Sequence, residues 1–210
     1  MTTTAGTPQD TLRATILVCT LKKSPADSSA EMLGEEIAEA LIGHGADTEV
    51  IRVVDHDIRF GVTFDEGDGD AWPDLRKRIL ASDVVALTTP IWLGQPSSVA
   101  KMVLERLDAE LGTTDDRGRL STYGIVGLVG VVGNEDGAHH VTAELFQALN
   151  DTGFSLPANA STYWVGEAMG GVDYQDLEKK PEPTQSATQS AAANAVHLAR
   201  LLRSSGYPGV

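Results

Sequence analysis

Cysteine is nearly absent, with Cys19 standing alone among 210 residues. One thiol closes no internal disulfide and completes no C-x-x-C pair, a usage that fits a reducing cytoplasm; Cys19 itself reads as a small buried strand residue. Basic residues are also scarce: 16 Lys and Arg face 30 Asp and Glu, a net charge of −14. That balance disfavours nucleic acid and anionic membrane surfaces as partners. No apolar run approaches the ~20 residues that a membrane span requires. Met1 to Arg13 is Thr-rich and has no apolar stretch of signal-peptide type, so residues 1–13 are expected to form a flexible tail ahead of a soluble, cytoplasmic protein. There is no G-x-x-x-x-G-K-[ST], and Gly127, Gly130 and Gly133 have the wrong intervals for a dinucleotide fingerprint, lying inside an apolar run instead of opening a helix. A phosphoacceptor domain would need acids where the first and third apolar runs end, and Cys19, Thr20, Thr88 and Thr89 stand there.

What is present alternates between two patterns. A short continuous apolar run at 14–20 has the pattern of a strand buried on both faces, 48–54 and 83–89 read as further strands, 123–132 is another apolar run, and a last strand is expected within 154–165. Between them, helical spacing recurs over 29–44, 72–81, 97–111 and 138–150, and again over 191–203. The length suits one domain, placed at 14–210, and the alternation predicts a doubly wound α/β fold: a five-stranded parallel sheet between two helical layers. Residues 55–70 read as an irregular acidic loop, and 170–189 as a polar stretch too poor in apolar residues to pack strongly.

In such a sheet the carboxyl ends of the strands share one edge, so distant loops can converge on one ligand. Three loops there carry chemistry. The first, from Thr20 through Lys22 to Ser28 and Ser29, offers hydroxyls and an ammonium beside the unpaired amides of a helix start, which suits a phosphate. The second, Pro90-Ile91-Trp92-Leu93-Gly94, offers a broad indole face and backbone amides, which suit a planar heterocycle. The third holds Gly133, Asn134 and Gly137, where backbone can approach a ligand; Glu135 and Asp136 read as helix N-terminal acids. His139 and His140 are adjacent and so point about 100° apart on a helix, which argues against a metal site, though one of them could reach a ligand.

With those residues in that order, the chain from about Ala14 to Trp164 resembles the NADPH-dependent FMN reductase branch of the flavodoxin-like superfamily. Thr20, Lys22, Ser28 and Ser29 match the family's hydroxyl, basic and small polar residues after the first strand, with Lys where Arg is common. Pro90 to Gly94 match its Pro-hydrophobic-aromatic turn, and Gly133 to Gly137 its glycine-containing loop. The resemblance implies non-covalent FMN, reduction by NADPH or NADH, a small-molecule electron acceptor, and a homodimer or homotetramer whose interface helps cover the ring. No side chain is nominated as catalytic, because the flavin carries the chemistry. Two alternatives stand beside it: a flavodoxin-type electron carrier that docks protein partners, and an α/β scaffold that has lost its flavin.

Overall fold

The computed structural model describes residues 11–209. Its apolar runs form a parallel sheet from β1 (Leu12–Val18), β2 (Ala46–Arg52), β3 (Val84–Trp92), β5 (Val126–Gly133) and β6 (Ser161–Val165), ordered β2-β1-β3-β5-β6. A two-residue strand, β4 (Gln95–Pro96), folds back antiparallel on the end of β3. The helices are α1 (Ser29–Gly43), α2 (Trp72–Leu80), α3 (Ser98–Leu107), α4 (Ala138–Asp151) and α5 (Glu182–Ser204). Alternate strand residues supply the two layers. Leu17, Leu87 and Val129 pack with α2, α3 and α4, whereas Ile16, Ala86 and Leu128 pack with α1 and α5. The chain winds outward from β1 to β2, then crosses back to β3 and on to β6. This reversal leaves a crevice above the carboxyl ends of β1 and β3, the usual ligand position in open α/β sheets.

Several boundaries differ from the sequence reading. Leu12 is buried and pairs with Ala46, and Arg13 pairs with Asp47, so the strand takes the last part of the expected tail; residues 1–10 lie outside the described residues. β3 continues beyond Thr89 through Trp92, with Pro90 in register with Val132. Pairing of β3 with β1 stops at Thr88, so the missing amide of Pro90 removes no bond from that ladder. What was read as a loop is therefore a strand extension and a hairpin. Leu93 and Gly94 turn it at φ of 54° and 74°, the two positive values that a type I′ turn requires.

The acidic 55–70 segment is fastened. Arg106, fully buried on α3, donates to Arg59 O at 2.8 Å, to Thr63 O at 3.0 Å and to the equally buried Asp70 carboxylate at 2.8 Å. Its guanidinium also lies 5.4 Å from the Trp72 ring centre. Burial alone would raise the Asp70 pKa. The amides of Glu66, Trp72 and Arg59 together with Arg106 outweigh it and hold the carboxyl at about 2.

Candidate functional site

A cavity of about 540 Å³ opens at the crevice, within the roughly 300–1,000 Å³ of small-molecule sites. Ten of the residues singled out in the sequence line it: Thr20, Lys22, Ser28, Ser29, Pro90, Ile91, Trp92, Leu93, Gly133 and Asn134. Gly94 and Gly137 do not. They pack against each other behind the wall, where a Cβ on Gly137 would come within 2.9 Å of the Gly94 Cα. Neither histidine reaches the cavity lining: His139 pairs with Tyr163 Oη at 3.0 Å, and His140 with Glu144 at 2.9 Å.

One end of the cavity is a set of hydrogen-bond donors. Ser28 caps α1, its hydroxyl oxygen accepting from Glu31 N at 3.3 Å. Thr20 Oγ1 accepts from Lys22 N at 3.3 Å, and Ser29 Oγ accepts from Gln175 N at 3.4 Å. Each oxygen thus takes a backbone proton, and none of the three hydroxyls donates to another described residue. Three O–H groups remain free beside first-turn amides of α1 that have no intrahelical acceptor. That combination suits an anion, and the helix dipole adds to it.

A cation that the sequence reading overlooked stiffens this loop from behind. Arg52, at the end of β2 and 7% exposed, donates to Ala26 O at 2.8 Å and Lys22 O at 3.3 Å and forms a two-pronged pair with Glu31. Asp55 holds the other side, accepting from Ser24 N at 2.9 Å and Ser24 Oγ at 2.5 Å. The expected cation, Lys22, lines the cavity but directs its ammonium to Asp27 O at 3.2 Å.

Much of the remaining lining is apolar. Ile91 is buried, while Trp92 and Leu93 are exposed at the mouth. Glu135, read as a helix N-terminal acid, instead ties two loops together by accepting from Leu93 N at 2.9 Å. Trp164, Met169, Gly170, Asp173 and Tyr174 complete the wall, and none was singled out from sequence. They come from β6, from the residues that follow it and from the polar 170–189 stretch. Tyr174 is fully buried, lies 5.5 Å from Trp164 between ring centres and donates to Glu36 Oε2 at 2.5 Å. Burial and the Glu36 carboxylate both push the Tyr174 pKa far up; burial also raises Glu36, against the opposing Tyr174 bond and Lys180.

A donor-rich pocket at a helix start, joined to an aromatic slot at the switch point of a doubly wound sheet, defines a flavodoxin-like flavin-binding protein. A family model described as NADPH-dependent FMN reductase matches residues 13–170, and the chain belongs to that family, whose members bind FMN and use NAD(P)H. It is 35% identical over 208 residues to the 8-demethyl-8-aminoriboflavin-5'-phosphate synthase of Streptomyces davaonensis, covering 93% of this chain and 80% of that protein. It is 37% identical over 201 residues to a protein of Mycobacterium bovis named divalent metal cation transporter MntH; 92% of this chain aligns, spanning only 29% of that relative. No helix among the described residues is long and apolar enough to cross a membrane. The structure of RosB with a bound 8-demethyl-8-formylriboflavin-5'-phosphate intermediate superimposes with a TM-score of 0.84 at 34% identity, over 93% of this chain and 82% of that one. An apo NADH:FMN oxidoreductase shares the fold, with a TM-score of 0.61 at 15% identity over 91% of this chain and 89% of its own.

The cavity fits FMN by its own chemistry. Free hydroxyl protons and unpaired amides at the start of α1 suit a phosphate dianion, and the indoles of Trp92 and Trp164 with Ile91 in the same lining suit a tricyclic ring.

Proposed function

We propose that this protein is an FMN-dependent NAD(P)H oxidoreductase acting on a small acceptor. The observation that carries the reading is the trio of undonated hydroxyls, Thr20, Ser28 and Ser29, in a cavity that is also lined by Trp92 and Trp164. When bound, FMN supplies a ring that takes hydride from a nicotinamide and passes electrons to an acceptor. The chain's own residues do the rest. Thr20, Ser28, Ser29 and the amides of α1 grip the phosphate, with Lys22 adding positive charge at the cavity edge. Trp92, Ile91 and Trp164 flank the ring and exclude water from it. Glu135 locks the Leu93 amide, so the wall keeps its shape when a second substrate arrives.

A second reading makes a flavin 5'-phosphate the substrate instead of a resident cofactor. It is favoured by the 35% identity to a flavin-modifying synthase across 80% of that enzyme. Both readings use the same phosphate end and differ in what becomes of the ring. The purified protein should bind one FMN, turn yellow, and consume NADPH or NADH steadily when a quinone is supplied. The flavin extracted afterwards should have the mass of FMN. An altered flavin mass selects the second reading; bound flavin without nicotinamide turnover or flavin alteration points to an electron carrier and defeats both.

A further inference from the structure

The chain leaves β6 at Val165 and does not re-enter regular packing until α5 starts at Glu182, apart from a single helical turn at Tyr174–Asp176. Most of this polar excursion is exposed or half-buried, yet Tyr174 is completely buried. The excursion is pinned at three points. At the third loop, Met169 N donates to Asn134 O at 2.9 Å, and Asn134 Nδ2 donates to Asp173 Oδ1 at 2.7 Å. On α1, Tyr174 Oη donates to Glu36, while Lys180 Nζ sits 4.1 Å from the Tyr174 ring centre and donates to Tyr174 O at 2.7 Å. At the donor end, the next amide along, Gln175 N, donates to Ser29 Oγ.

The last contact has a chemical consequence. A serine hydroxyl has one proton, and its oxygen is free to accept from another group. With Gln175 N donating into that oxygen, the Ser29 proton is left to point elsewhere, and the cavity lies on its open side. We infer that Tyr174 is a positioning residue for the flavin phosphate: by fastening the strap to Glu36, it holds Gln175 N against Ser29 and presets Ser29 as a phosphate donor. Strap closure and phosphate binding then favour each other by linkage. The inference rests on the flavin-phosphate reading of the cavity and is indifferent to whether FMN is cofactor or substrate.

The test compares FMN with riboflavin, which lacks the phosphate, by flavin fluorescence titration of the full chain. Tyr174→Phe keeps the ring that meets Trp164 and removes only the bond to Glu36. It is expected to weaken FMN binding about tenfold, the scale of one charge-assisted hydrogen bond, with riboflavin nearly unchanged. Glu36→Ala should reproduce that loss from a half-buried site on α1, which covers the case in which Tyr174→Phe fails to fold. Adding Tyr174→Phe to Ser29→Ala should cost nothing further, because the strap acts through that hydroxyl. An equal loss for both flavins would make Tyr174 a wall residue only and overturn the inference, as would full additivity with Ser29→Ala. Wild-type protein that binds FMN with an FMN-to-riboflavin ratio unchanged in both single variants defeats the strap alone. Wild-type protein that binds neither flavin defeats the functional reading and the strap together.

Discussion

Replacing Thr20, Ser28 and Ser29 together with Val, Ala and Ala is expected to weaken FMN binding on the order of a thousandfold while leaving riboflavin binding close to its original value. Three hydrogen bonds to a charged phosphate, at the lower end of about 1.5 kcal/mol each, sum to a little over 4 kcal/mol, or about three decades. The apolar wall at Ile91, Trp92 and Trp164 is untouched by these changes, so the ring's share of affinity survives. Loss of the Ser28 cap costs about 1 kcal/mol of stability, a fraction of what a domain has to lose. Isothermal titration with both flavins, alongside a urea melt, separates the two effects. A triple variant that keeps the wild-type preference for FMN over riboflavin would move the phosphate out of this pocket.

The second large effect concerns stability. Arg106→Met is expected to destabilise the protein by about 3–5 kcal/mol, because it leaves the fully buried Asp70 carboxylate without its cation. The carbonyls of Arg59 and Thr63 lose their donor in the same step, so the 55–70 segment should loosen first. Urea midpoints at neutral pH measure the loss, and a variant within about 1 kcal/mol of wild type would show that the pair is replaceable. The pair also predicts an acid limb. Asp70 has a folded pKa of about 2 against an ordinary 3.8, so its contribution is complete above 3.8 and is lost as pH falls through about 2. In Arg106→Met one of the groups holding that pKa down is gone, and this part of the acid dependence should shrink.

How much of this was legible from residues alone can be seen at three places. The central strands β1, β3 and β5 announced themselves because burial on both faces demands nearly unbroken apolar runs, and the helix start at Ser29 because Ser28 is a capping residue. α5 was recognised only from Ala191 onward, although it starts at Glu182. Its early buried positions are Thr184 and Thr188, whose hydroxyls bond to Tyr163 O at 3.1 Å and Thr184 O at 2.9 Å, so polar residues fill the apolar stripe there. Tyr174 was invisible for a related reason. It is one aromatic in a polar stretch, and the partner of its hydroxyl, Glu36, lies 138 positions away in the chain. Arg52 was passed over because it closes an apolar strand, where a lone charge reads as solvated. Only the fold brings Glu31 and the carbonyls of Lys22 and Ala26 around it.

The abutment of Gly94 on Gly137 restricts how this scaffold can be re-engineered. The hairpin tip and the start of α4 touch through bare backbone, with no side chain between them to yield when either partner changes. Gly137 also has φ of 126°, a conformation that disfavours a Cβ on its own account. A chimera that imports another flavoprotein's 90–97 stretch without the matching 133–138 stretch would therefore jam at that seam. Transplanted as a matched pair, the two stretches would carry a new acceptor preference while the hydroxyls of Thr20, Ser28 and Ser29, on other segments, stay as they are.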